Sequence, residues 1–311
     1  PLEGERLLTT PGFWAYLKVA DGCSNNCTYC SIPQIRGPFR SRPMEGIIKE
    51  AKELAEKGVR ELMLIAQDTT RYGEDIYGKK MLPELLRELV KIDELKWIRI
   101  LYCYPDRITD ELLETMASNE KILHYIDLPL QHAHKDVLRR MNRRGDPESL
   151  LALIEKIRSY MPDAVIRTTF ITGFPGEGEE EFKTLRDFIE KAKFDRLGCF
   201  AYSAEEGTFA ATFDNQVDEQ TKAERAEQIM LSQFKIFEEK QKALIGTVQE
   251  VVTEGYDAYT DSYYGRTWRD APEIDSAIKF ISPYEHDEGE IVKVEVTAVE
   301  GYDLIGEIFE D

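Results

Sequence analysis

An α/β chain built as a partial (βα)6 barrel and followed by a small all-β barrel is what this sequence predicts, on three observations. Residues 13–203 alternate short apolar runs with amphipathic stretches, the pattern of parallel βα units. The polar and glycine-bearing loops of that region follow the apolar runs, where βα folds keep their working residues. After residue 244 the texture changes to five short strand candidates punctuated by Gly, Pro and Asp, as in a small barrel.

The first strand, residues 14–19, leads into a loop carrying Cys23, Cys27 and Cys30. That loop has no helical period up to Ser31-Ile32-Pro33, and the segment from Gly37 to Pro43 ends it and opens a helix, Pro43 standing at a tolerated early position. The helix ends near Gly58, before a second strand at 61–66 and the loop Gln67-Asp68-Thr69. Strands three and four lie at 98–102 and 125–128, the latter followed by Pro129-Leu130-Gln131-His132. Strand five, 165–171, meets Gly173-Phe174-Pro175-Gly176-Glu177, and strand six, 196–202, meets Ser203-Ala204-Glu205-Glu206. A long charged helix from about 217 to 244 leads to strand candidates at 248–252, 256–260, 278–281, 291–299 and 305–309. The division is therefore a core domain with its linking helix, 1–244, and a barrel domain, 245–311.

With 311 residues the chain can bury a large core in more than one domain. No run approaches the roughly 20 apolar residues of a membrane span, and there is no signal-peptide core, so a cytoplasmic location and no membrane partner are expected. Five cysteines, an odd number, do not suit a secreted disulfide framework. The formal charge of -19 argues against a general nucleic-acid binder. Much of that charge is terminal: residues 246–311 hold 17 Asp and Glu against 4 Lys and Arg, which reads either as a solvated surface or as a face for a basic partner. The first residue is Pro1 rather than Met, as in an excerpted piece.

Cys23, Cys27 and Cys30, spaced C-x3-C-x2-C, are the strongest chemical signal. Thiolates this close can face one iron-sulfur cube, and without a fourth nearby cysteine one iron keeps a site for a small molecule. The amino and carboxylate groups of S-adenosylmethionine suit that site, and one-electron reduction there releases a 5'-deoxyadenosyl radical, the protein supplying placement and shielding. The alternatives are zinc, which normally wants four Cys or His ligands in two pairs, and plain structural cysteines. Cys103 and Cys199, in apolar runs, read as buried strand residues.

Other constellations are weaker. Gly173 and Gly176 read either as a strand-to-helix turn or, after a barrel strand, as part of an adenosine pocket. Gln67 and Asp68 are candidates for the cofactor's amino group, with a helix cap as the rival role for Asp68. Gln131, His132 and His134 form a polar knot whose two His are a metal candidate or a helix cap, with Gln131 a candidate to bind the cofactor. In the cationic run from Leu138 to Arg144, Arg143 is the candidate to turn inward and meet the cofactor's carboxylate.

The run from Asp21 to Pro43 resembles the cluster loop of radical S-adenosylmethionine methylthiotransferases. Tyr104-Pro105-Asp106, the stretch from Leu128 to Arg143, the segment from Gly173 to Glu177, and Tyr202-Ser203 with Gly207-Thr208 are similar to the same family, and the tail resembles its TRAM domain. The resemblance implies a radical SAM barrel with a TRAM-like barrel, a 4Fe-4S cluster on Cys23, Cys27 and Cys30, and S-adenosylmethionine as both methyl donor and radical source. It also implies a reducing electron donor. Residues 66–73 and 265–275 resemble the branch that attaches a methylthio group to the β-carbon of an aspartate in small-subunit ribosomal protein twelve, a basic protein that an acidic tail would attract. The sister branch, acting on a tRNA adenosine, is the alternative; a non-catalytic iron-sulfur sensor and a zinc-stabilised binding module are those of another class. Family members carry a further N-terminal domain with a second 4Fe-4S cluster, and the chain reads as a fragment lacking it.

Overall fold

The structure, a computed structural model, describes residues 8–310; the outer ends of the two expected domains, 1–7 and 311, lie outside the described residues. Six parallel strands run in sequence order across one sheet: β1 (Trp14–Lys18), β2 (Glu61–Ile65), β3 (Trp97–Ile100), β4 (Ile122–Asp127), β5 (Val165–Thr172) and β6 (Arg196–Ala201). Each pair is joined by helix on the outer face: α1 (Met44–Glu56), α2 (Leu82–Leu89), α3 (Asp110–Ala117), α4 (Lys135–Arg140) with α5 (Pro147–Tyr160), and α6 (Glu179–Ala192). The sheet does not close, so β1 and β6 are its edges.

Side-chain alternation along the strands divides the residues into two sets. Ala15, Leu17, Leu62, Leu64, Ile98, Ile100 and Ile166 pack beneath the helices in the main core. Trp14, Met63, Leu101, Tyr125 and Val165 belong instead to a second cluster that includes Val252 and Ala271 of the tail. Burying each such side chain contributes about 1.5–3 kcal/mol.

A 24-residue helix, α7 (Glu219–Lys242), starts where the Asp218 side chain accepts from the Thr221 amide at 2.9 Å, and packs along β6 and β5. The tail then forms a closed five-stranded barrel from β7 (Val248–Asp257), β8 (Ser262–Thr267), β9 (Ile278–Ile281), β10 (Ile291–Glu300) and β11 (Asp303–Ile308), in the spatial order β8-β9-β11-β10-β7. Its interior is Val251, Ile278, Phe280, Val292, Val294, Val296 and Leu304. Among the described residues no helix is long and apolar enough to cross a membrane.

The tail closes the lower half of the concave sheet face through buried charge. Glu61 at the start of β2 pairs with Arg99 of β3 at 3.1 Å and with Arg266 of β8 at 2.6 Å. Arg266 reaches Glu254 at 2.6 Å, Arg196 of β6 pairs with Asp270, and the Tyr125 hydroxyl donates to Asp275 at 2.6 Å. Arg99 also donates to the Trp268 carbonyl and lies over the Tyr125 ring, 4.6 Å from its centre.

Three local expectations change. Ile32–Arg36 forms a short helix where an irregular loop was expected; Pro33 sits in its first turn, where a missing amide costs nothing. Strand β4 begins at Ile122, because Ile122 and Leu123 also bury. The tail strand expected at 256–260 straddles the end of β7 and a turn. Asp257 accepts there from the Tyr259 amide and the Thr260 hydroxyl, and Asp261 takes φ +50°, so the next strand is Ser262–Thr267.

Candidate active site

The cysteine loop hangs over the C-terminal end of the sheet and is fastened on several sides. The Cys23 amide donates to the Gly37 carbonyl at 3.1 Å, and the Cys30 amide to Cys27 at 3.0 Å. Thr28 donates through its amide to Met141 and through its hydroxyl to Arg140, while Asn142 donates to the Asn26 carbonyl at 2.9 Å. Asn25 donates to the Asp68 carboxylate at 2.9 Å. Loop position is thus set by groups from three other segments rather than by its own sequence.

Cys23, Cys27 and Cys30, all free thiols, line one cavity of about 560 Å3 with Gln67, Gln131, Arg143, Lys18, Asp127 and Arg167. Burial pushes the Cys23 thiol up, with the charges of Cys27, Asp68 and Cys30 adding to it; burial does the same to Cys30, with Cys27 adding. Metal coordination removes that penalty, since a coordinating thiol is deprotonated outright. Among the described residues no group of three or more His, Cys, Asp or Glu is arranged to hold a single metal ion.

Gln67 lines the cavity with its Oε1 buried and unpartnered, an acceptor waiting for an N–H donor. Arg143 has turned inward and is 8% exposed. It donates to the Pro129 carbonyl at 2.6 Å, lies 3.7 Å from Cys27 Sγ and sits 4.4 Å from the centre of the Tyr104 ring. Gln131 lines the same cavity in a left-handed conformation, φ +71°. A thiol triplet, an orphaned acceptor and an inward cation fit a cluster that binds S-adenosylmethionine.

Other candidates have different work. The Asp68 carboxylate is fully used: Oδ2 accepts from Asn25 and from Arg107 at 2.9 Å, and Oδ1 from Thr70 at 2.6 Å. It anchors the loop and does not line the cavity. Gly173 and Gly176 do not line it either. Both have positive φ, +67° and +80°, and a Cβ would fall 2.1 Å from Lys222 Cγ or 2.3 Å from Arg140 Nη1, so they serve the turn and its packing. Glu177 closes that turn, accepting from the Gly173 amide at 2.9 Å and pairing with His132 at 3.0 Å and Arg225 at 3.0 Å. His134 caps α4, its Nδ1 accepting from the Asp136 amide. Cys103 is buried just beyond β3 and lines the cavity; burial raises its thiol, and pushes that of Cys199 in β6 up to about 12.

Asn25, Tyr104, Asp127 and Arg167 were not legible as site residues. For Arg167 and Asp127 a signal existed: each is a charge within an apolar strand, Arg167 at a concave-face position of β5.

The Radical SAM superfamily profile matches residues 17–189 and the TRAM domain profile residues 245–309. A ribosomal protein uS12 methylthiotransferase RimO of Clostridium botulinum (strain Langeland) is 48% identical over 309 residues, 99% of this chain and 69% of that protein. One of Caldanaerobacter subterraneus is 52% identical over 302 residues, 97% of this chain and 69% of that protein. Among solved structures, the radical SAM enzyme coproporphyrinogen III oxidase (HemN) of Escherichia coli shares the fold, with TM-score 0.53 and 20% identity over 72% of this chain and 53% of that one. With a thiol-lined cavity above a partial barrel, a TRAM barrel below it, and about half its residues identical to these relatives, the chain belongs to the ribosomal protein uS12 methylthiotransferase (RimO) family of radical SAM enzymes.

Proposed function

We propose that this chain is the catalytic part of an enzyme that adds a methylthio group to the β-carbon of an aspartate in ribosomal protein uS12. The observation that carries the reading is the convergence of Cys23, Cys27 and Cys30 on one cavity, in a chain about half identical to uS12 methylthiotransferases.

Cys23, Cys27 and Cys30 hold a 4Fe-4S cluster as thiolates and leave one iron for S-adenosylmethionine. When bound, this pair of cofactors supplies the radical that removes hydrogen from a carbon no ordinary base can ionise. Gln67 Oε1, buried without a partner, would accept from the cofactor's amino group. Arg143 supports Cys27 and places positive charge beside the cofactor's carboxylate. Gln131 forms cavity wall, Asp68 keeps the loop in register through Asn25, and Gly173 and Gly176 preserve the turn behind it. The tail excludes water from below by covering the lower concave face.

The chain works as two parts meeting at residues 244/245. The proposed whole enzyme also uses a second 4Fe-4S cluster as sulfur source, for which Cys103 and Cys199, standing singly, are not ligands. A separate reducing donor supplies electrons. Asp270, Asp275 and Glu254 are committed to the core, but Glu285, Asp287, Glu288, Glu290, Glu295 and Glu307 remain exposed on the barrel to meet a basic ribosomal protein.

Anaerobically reconstituted protein, reduced in the presence of S-adenosylmethionine, is expected to release 5'-deoxyadenosine, and Cys27→Ala to abolish both the cluster's visible absorption and that release. Undiminished turnover in the variant would sink the assignment.

A further inference from the structure

Two cavities share one charged side chain. The thiol-lined cavity and a second one of about 360 Å3, between β6, α7 and the tail, both include Arg167 in their walls. Arg167 lies opposite Arg196 of the open edge strand, and two residues further on Thr169, which lines the first cavity, lies opposite Gly198, which lines the second. The two cavities therefore adjoin at the β5–β6 edge, with Arg167 in the wall of both.

Arg167 is also a cation in the first cavity with donors to spare. Lys18 is held by Asp21 at 3.1 Å, beside the cysteine loop. Arg143 gives Nη2 to the Pro129 carbonyl and turns Nη1 toward Cys27. Arg167 gives only Nη1, to Asp127 at 2.8 Å; its Nε and Nη2 make no hydrogen bond to any described residue. An arginine edge of that kind matches a carboxylate bidentately.

The second cavity has the chemistry of a peptide groove. Met230, Phe234, Phe237 and Tyr302 supply apolar and aromatic wall. Gln233 Oε1 and Arg196 Nε are buried there without a hydrogen bond, Arg196 Nε lying 3.8 Å from Asp275 Oδ1, an acceptor and a donor of the kind one peptide unit satisfies. The Gln233 amide is oriented by its Nε2 donating to the Phe194 carbonyl at 2.9 Å, which leaves Oε1 as the orphan.

We propose that Arg167 receives the carboxylate of the target aspartate, while the segment flanking that residue lies in the second cavity. The proposal rests on the function given above. It makes Arg167 the residue that selects aspartate over asparagine, holding the β-carbon where the two cavities adjoin.

The test is equilibrium binding of fluorescein-labelled uS12 peptides, with the target aspartate or with Asn in its place, to the reconstituted protein with S-adenosylmethionine. The unaltered protein is expected to prefer the Asp peptide by about 10- to 100-fold, the range of a charge-assisted contact. Arg167→Gln should bind both peptides equally weakly, and Arg167→Lys should keep part of the preference. Retained S-adenosylmethionine binding in either variant shows that the fold has survived loss of the Asp127 pairing. If Arg167→Gln discriminates as well as the unaltered protein, the role of Arg167 is overturned while the function stands. If the unaltered protein binds neither peptide, both fall.

Discussion

The two halves of the concave sheet face are built from the same six strands, yet they are finished in opposite ways. In the lower half Glu61, Arg99, Arg196 and Tyr125 each meet a group from the tail or from one another, and Trp14, Met63 and Val165 lie beneath Val252 and Ala271. In the upper half the tail stops short, Gln67 keeps an unpartnered acceptor, and Arg167 keeps unused donors. The lower half is an ion-paired junction with the tail, although Arg99 Nη2 and Arg196 Nε make no hydrogen bond there; the upper half turns its unpartnered groups toward a cavity. A sheet face that was uniformly satisfied would be more stable and would bind nothing.

The largest effect that tests this contrast comes from removing the hub of the closed half. Glu61→Ala leaves Arg99 and Arg266 buried together without their shared carboxylate, and a loss of about 3–5 kcal/mol is expected by urea denaturation. A loss below 1 kcal/mol would show that the junction is not closed in solution. In the open half the sign should reverse. Gln67→Leu removes a buried acceptor with no partner, so the cofactor-free protein should gain about 1 kcal/mol while S-adenosylmethionine affinity falls. A variant that loses stability would mean that Gln67 is already satisfied without a ligand.

The smallest effect concerns pH. Burial raises the Asp275 carboxyl above its ordinary value; Asp270 pushes the same way and Arg196 opposes. A folded-state pKa above the unfolded one means that the native state holds the proton more tightly. The associated stability is complete below the unfolded value of about 3.9 and is lost as pH rises through the folded value. Asp275→Asn, which cannot titrate, should remove that fall and flatten the stability profile just above pH 4, seen as a change in the pH dependence of Tm. An unchanged profile would assign the titration to another group.

Much of this architecture was legible because it repeats. The alternation of apolar and amphipathic stretches placed all six sheet strands, with β4 starting at Ile122 and the tail turn after Asp257 as the main displacements. Those errors have a common source: a strand boundary depends on which residues find a partner strand, and Ser262–Thr267, rich in Tyr and carrying Gly265, looks like a turn until β7 pairs with it. The site was legible where chemistry needs identical residues close together, as in Cys23, Cys27 and Cys30. It was not legible where a side chain's role depends on its direction. Asp68 follows a strand like any loop carboxylate, but three donors occupy it. Gly173 and Gly176 flank a proline as a nucleoside-binding turn would, but Lys222 and Arg140 fill the space beside them.

By itself the sequence determined the order of the sheet strands and the three thiols, since periodicity, turn chemistry and ligand spacing are local properties carried along the chain, and its resemblance to known motifs indicated the family. Only the tertiary structure decided that the tail closes the lower half of the barrel. It alone decided that Asn25 and Asp68 brace the cysteine loop, and that Arg167 stands where two cavities meet. Those outcomes depend on which charged groups from distant segments are buried together, and a buried charge is stable only where its partner arrives from elsewhere in the chain.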